Sequence, residues 1–252
     1  MKPAREVFKL HALEIIYLTA LTGGTSFPGV DIDLKGESER SLRSLMDAQM
    51  RSLEAKGYLE VDFMGHAQVH EILHSFIGIA SSCTAYLCQV IHRKQQSAKV
   101  YYFFREGVCY ELEHQPDSSI YLLQEIYAQH ELMFQVVNRT PLVLGLNDYR
   151  QLLLEDHESD IGEWVEQSLS AGAAVLSLAE IRRTGEEAQA ERELNLLIYD
   201  EQMWLLQRGM DEQITRVPVT FTAAVEELIG WLQVTDLSGG AEHVNSINDL
   251  SI

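Results

Sequence analysis

Cysteine is scarce in this chain: Cys83, Cys88 and Cys109 are the only three, and no C-x-x-C pair occurs. An odd count at these spacings gives neither a disulfide framework nor a zinc knuckle, and reads as reduced, buried thiols of a cytosolic chain. No apolar run reaches the roughly 18 residues of a membrane-spanning helix. The N-terminus, Met1-Lys2-Pro3-Ala4-Arg5-Glu6, leads into a segment carrying His11 and Glu14, not into the apolar core of a signal peptide. Cations are few, with 19 Lys and Arg against 38 Asp and Glu, a formal charge of -19. Such a surface repels phosphate backbones and anionic lipid faces, which argues against nucleic-acid and membrane partners. The motifs G-x-x-x-x-G-K, G-x-G-x-x-G and G-x-S-x-G are also missing.

What the chain has is apolar content, 46% of residues, and a readable succession of helix and strand patterns. Residues 5–21 show helical spacing through Phe8, Ala12, Ile15, Ile16 and Leu18. Ser38 caps a second helix, with Glu37 and Glu39 near its positive end and a stripe of Leu42, Leu45, Met46, Gln49 and Leu53; Gly57 stops it. Residues 58–63 alternate as a short strand, and residues 66–80 read as a helix. Residues 84–92, 99–104, 108–114 and 120–123 form an antiparallel meander, because the links between them are too short for parallel crossovers. Residues 125–137 follow as a helix.

The order then repeats. Thr140-Pro141 marks a boundary; helices are expected at 147–154 and, capped by Asp160, through Ile161, Trp164, Val165 and Leu169 to Gly172. Strands follow at 174–182, 194–199, 203–207 and 214–219, and a helix at 221–232. Two aromatic-rich hairpins stand out, 99–113 and 193–208, each with a short polar turn and each preceded by a strand ending on a basic pair (His92-Arg93, Arg182-Arg183). Matching Ile91 with Ile181 and Glu106 with Glu201 gives separations that grow by one loop insertion, in 183–193 relative to 92–98. The expected architecture is therefore α/β of the α+β kind, in two pseudo-symmetric halves: residues 1–140, residues 141–236 packed with them as one unit, and an acidic flexible tail at 237–252.

Candidate chemistry is thin. His70-Glu71-Ile72-Leu73-His74 is H-E-x-x-H, which on one helix puts two imidazoles a turn apart to share a zinc, with Glu71 polarising bound water. The longer metzincin pattern fails, since Ile77 stands at its glycine and Ser81 at its last histidine. The bland reading is a helix whose core face is Val69, Leu73, Phe76 and Ile77. A winged-helix regulator is a further alternative, from the helix running into Gly57-Tyr58-Leu59, but Arg40, Arg43, Arg51 and Lys56 are interleaved with acids and make no basic patch. No catalytic residue, cofactor or metal is assigned; His70 and His74 stand only for the zinc alternative.

As a whole, the order of elements resembles the EspG-type chaperones of type VII (ESX) secretion, and is similar to their EsaE-like relatives. The resemblance implies a cytosolic, non-enzymatic role: binding a secreted helical-hairpin protein or heterodimer and passing it to the secretion ATPase. It also implies contacts through a loop of the central sheet and through helices, here Arg93, Lys94, Gln95 and Gln96, and Ile161, Trp164, Val165 and Leu169. Trp164 and Trp204 are anchor types for a helical partner, or core residues. An exposed meander edge makes a homodimer a further expectation.

Overall fold

In the computed structural model, residues 5–30, 32, 34, 36–93, 96–105, 107–116, 118–143, 161–185, 187–208 and 214–234 are described. The first part of the chain forms β1 (Val7–His11), α1 (Ala12–Leu21), α2 (Glu39–Ala55), β2 (Leu59–Val61), β3 (Ala67–Val69), α3 (Glu71–Ser82), β4 (Ala85–Arg93), β5 (Gln96–Arg105), β6 (Val108–His114), β7 (Ile120–Ile126) and α4 (Gln129–Arg139). The second forms α5 (Ile161–Ser170), β8 (Ala174–Thr184), β9 (Glu187–Tyr199), β10 (Gln202–Arg208), β11 (Ile214–Val219) and α6 (Phe221–Val234). The expected helix at 147–154, the Asp160 cap and the tail lie outside the described residues.

Nine strands make one antiparallel sheet in the order β1-β7-β6-β5-β4-β8-β9-β10-β11, and β2 and β3 make a separate hairpin. The centre of the sheet is the β4–β8 ladder, which runs from Ala85↔Arg182 to Arg93↔Ala174. The two meanders expected from the sequence are thus joined into one sheet.

Alternation splits the core into two layers. Tyr101 and Phe103 of β5 face one side with Tyr86, Tyr110, Leu112 and the helices α1 and α3; Val100 and Tyr102 face the other with Leu176, Leu178, Leu196, α4 and α6. On the first face Phe27, Phe76 and Phe103 meet edge-on, with centroids 5.3 to 5.9 Å apart. Each such ring contributes about 2–3 kcal/mol through burial. Gly29 lies against this cluster with φ +78, and a Cβ there would sit 2.4 Å from the Tyr101 ring. Tyr121 Oη donates to Gly29 O at 3.2 Å and holds that close approach. The second face is tied to α4 by a buried polar set. Tyr102 Oη donates to Gln89 Oε1 at 3.1 Å, Gln89 Nε2 donates to Val136 O at 3.0 Å, and Arg139 reaches both oxygens of Glu111.

Several expectations are corrected. Residues 5–21 are not one helix: Phe8 and Leu10 are buried while Val7, Lys9 and His11 are exposed, a strand pattern that pairs with β7. The outer backbone of Lys9 is closed off by side chains, its N–H donating to Tyr58 Oη at 3.2 Å and its carbonyl accepting from Lys56 Nζ at 3.1 Å. Residues 66–80 divide into β3 and α3, with His70 between them. Residues 125 and 126 complete β7, so α4 starts at Gln129. The supposed loops are strands: Arg93 pairs with Gln96, and Thr184 with Glu187 around Gly185 at φ +66. The extra length of the second hairpin is strand, with a register shift at Glu180/Ile181.

The residue matching between the two hairpins also shifts. Ile91 packs in the second-face core and Ile181 in the first, so they do not correspond. The ladder ends Arg105↔Val108 and Tyr199↔Gln202 match Phe104 with Ile198 and Cys109 with Met203, all in the second-face core. Matching Cys109 to Trp204 instead moves one residue along and changes faces, the usual consequence of a one-residue slip in a strand.

Candidate protein-binding site

The two segments marked by the sequence meet one end of the sheet. Arg93 closes β4 and Gln96 opens β5; both side chains are exposed, and the turn residues Lys94 and Gln95 lie outside the described residues. Arg93 is the ladder partner of Ala174, the first residue of β8. Just before it α5 ends: Gly172 takes φ +102, its N–H donates to Leu169 O at 3.0 Å and the Ala173 N–H donates to Ser168 O at 2.9 Å. The C-terminal end of α5 and the β4–β5 tip are therefore neighbours.

The body of α5 lies farther out, over β10 and β11 on the first face. Trp164 meets Trp204 edge-on at 5.3 Å between centroids, and the Arg216 guanidinium stacks over the Trp164 ring at 4.5 Å. From β4 to β10 is three strand spacings, about 14 Å. Ile161, Trp164, Val165 and Leu169 share one half-buried face, while Glu163, Glu166, Gln167 and Ser170 face solvent. Both tryptophans are half-buried, neither fully core nor free anchors. Arg216 belongs to this arrangement and was not singled out from the sequence; a lone arginine among strand residues carries no mark of the ring it covers.

His70 and His74 are not on one helix face. His70 is the residue before α3, with φ -50 and ψ 135, and its ring packs edge-on to Phe8 at 5.0 Å. Its Nε2 is 3.7 Å from Glu6 Oε1. His74 is exposed in the first turns of α3, and His66 sits on the β2–β3 turn with Nδ1 3.0 Å from Asp62 Oδ2. The three imidazoles thus belong to three local structures, and among the described residues no group of three His, Cys, Asp or Glu is placed to hold a metal. The thiols are withdrawn as well: burial pushes Cys88 up to about 11, and raises Cys109 and Cys83.

No family model matches the sequence, and no curated protein does. The structure does have a counterpart: the type VII secretion system chaperone EspG5 of Mycobacterium tuberculosis, solved in complex with the PE25–PPE41 dimer. The two share 10% sequence identity with a TM-score of 0.62, over 93% of this chain and 99% of that one. The fold is shared with EspG5. At 10% identity the likeness to EspG5 lies in the course of the backbone, so no contact residue carries over from EspG5 by alignment of side chains. No helix among the described residues is long and apolar enough to cross a membrane.

Proposed function

We propose that the chain is a non-enzymatic secretion chaperone. It binds a secreted helical-hairpin protein or heterodimer of the WXG/LXG or PE–PPE kind, keeps it soluble in the cytoplasm and hands it to the ATPase of a type VII (ESX) system. The observation that supports this reading is likeness over nearly the whole of both chains to EspG5, a chaperone solved with such a dimer. An acidic body built on a broad sheet, with amphipathic helices on both faces, suits a groove that reads a partner helix at i, i+3, i+4 and i+7.

In the same reading, residues 1–140 and 141–236 are pseudo-symmetric halves related across the β4–β8 ladder, with a tail at 237–252. The cargo meets Arg93, Lys94, Gln95 and Gln96 at the β4–β5 tip, and Ile161, Trp164, Val165 and Leu169 on α5. The test is co-expression with small helical-hairpin proteins encoded beside this gene. A soluble stoichiometric complex is expected, with affinity falling at least tenfold in Arg93→Glu and Trp164→Ala. If none of these proteins is held in solution by the chain, the reading fails.

A further inference from the structure

The β2–β3 hairpin presents two large apolar side chains that the fold does not use. Phe63 is 98% and Met64 69% exposed. The turn beneath them is nevertheless firmly built. Asp62 Oδ1 accepts the N–H groups of Met64 and His66, both at 2.8 Å, and its other oxygen meets His66 Nδ1. The backbone adds Asp62 N–H to His66 O and Gly65 N–H to Asp62 O, each 3.0 Å, with Gly65 at φ +85. A polar residue at 63 or 64 would serve this turn equally well, because neither of those side chains takes part in it.

The base of the hairpin is fixed too. Leu59 is buried and Val61 and Val69 pack on the first-face core. Tyr58 and His70, which flank it, hold Phe8 of β1 edge-on at 5.2 and 5.0 Å. The hairpin therefore stands beside β1, while α5 lies at the β10–β11 edge. Eight strand spacings separate β1 from β11, about 38 Å.

We propose that the β2–β3 tip is a docking prong for a second protein, one whose contact surface is apolar and bordered by lysine or arginine. The backbone that carries Phe63 is already ordered, so binding has only the two side-chain torsions of the ring left to fix, and a methionine beside it adapts to irregular surfaces. The charge of the partner follows from the hairpin itself: exposed Glu60 and Asp62 border the tip, and no lysine or arginine occurs between Lys56 and Arg93. Lys56 is engaged by Glu14. The same charges disfavour the other occupants, since two copies of this tip repel each other and a chain of charge -19 is repelled by anionic lipid.

The experiment uses the full chain and a fluorescent synthetic helix of leucine and lysine, with leucine at i, i+3, i+4 and i+7, followed by anisotropy in about 0.15 M salt. The wild type binds it. Phe63→Ser with Met64→Ser weakens binding at least tenfold without moving the melting temperature, Phe63→Leu stays within about threefold, and Phe134→Ser, which removes an exposed ring on α4, changes nothing. Glutamate in place of the peptide's lysines weakens binding at least tenfold. The proposal is overturned if the double serine variant binds like wild type, if Phe134→Ser is the change that matters, or if the leucine–glutamate helix binds equally well. It is also overturned if the tip instead drives self-association in sedimentation, or binding to lipid vesicles. Capture of a secreted cargo plays no part in the measurement, so it stands or falls apart from the chaperone reading.

Discussion

Removing the Glu14 carboxylate should destabilise the protein by about 3 kcal/mol. The Glu14 side chain is 0% exposed, and its partner Lys56 is 27% exposed. Oε1 accepts from Ser52 Oγ and Lys56 Nζ, both at 2.7 Å; Oε2 accepts from the His11 N–H and Lys56 Nζ, also at 2.7 Å. One carboxylate thus closes the first turn of α1 and fastens it to the C-terminal end of α2. Deleting one partner of a buried pair costs about 3–5 kcal/mol, and loss of a helix cap about 1. Lys56 can turn to water, which brings the total for Glu14→Ala to about 3 kcal/mol; Glu14→Gln keeps the shape and should cost about 1–2. For a chain of this size 3 kcal/mol lowers Tm by roughly 6–12 °C.

The pH dependence adds a second readout. Burial pushes the Glu14 carboxyl up, but hydrogen bonds from Lys56, the His11 N–H and Ser52 outweigh it and hold the group below the ordinary range. A depressed folded-state pKa stabilises fully above the unfolded value, about 4.3 for glutamate, and that stabilisation is lost as pH falls through the lower folded value. Urea unfolding followed by circular dichroism from pH 7 down to 3 should therefore show an acid loss of stability that is shallower in Glu14→Gln. A double-mutant cycle with Lys56→Met should give a coupling of about 1.5 kcal/mol or more. A Glu14→Ala variant within about 0.5 kcal/mol of wild type, the ordinary range for a surface change, or a coupling near zero, refutes the argument.

Gly29→Ala should cost about 3 kcal/mol or leave little folded protein, because a left-handed residue must take a Cβ and that Cβ meets the Tyr101 ring at 2.4 Å; soluble yield and Tm check this. Asp200 and Glu201 both have positive φ, 50 and 60, in the β9–β10 turn, so Asp200→Asn with Glu201→Gly should stabilise by about 1–2 kcal/mol, read as a higher urea midpoint with an unchanged slope. Cys109 is buried and Cys83 and Cys88 are half-buried, all with raised thiols, so the three should react with a disulfide reagent at pH 8 more slowly in the folded chain than in denaturant; fast reaction of Cys109 in the folded state would contradict its burial.

Period and punctuation made most elements legible. The segment Val108–His114 is an apolar-rich run bounded by Gly107 and Gln115, and its strand limits match. Ser38 and Gly57 announced the ends of α2, and the Ser41 N–H does donate to Ser38 Oγ at 3.1 Å. Misreadings fell where a local pattern fits two periods. Phe8 also satisfies helical spacing with Ala12 and Ile15, and only pairing with β7 makes Val7–His11 a strand. His70 and His74 have the spacing of a helical pair, but β3 claims the residues before His70. The α5 and β4–β5 tip segments are proposals made from the sequence, whereas the place of Arg216 over the Trp164 ring and the exposure of Phe63-Met64 are visible only in the structure.

What the sequence by itself determined is the kind of molecule: an acidic α+β chain with two antiparallel meanders and amphipathic helices. Composition, spacing and turn residues are local properties, and they suffice for that. The tertiary structure alone decided that β4 and β8 join the meanders into one nine-stranded sheet, which residue of one hairpin matches which of the other, and that α5 and the Phe63-Met64 tip lie at opposite edges. Those are matters of pairing between segments far apart in the chain, as in Val7↔Gln124 and Ala85↔Arg182, and a one-residue change of register, invisible in either segment alone, turns every side chain to the other face.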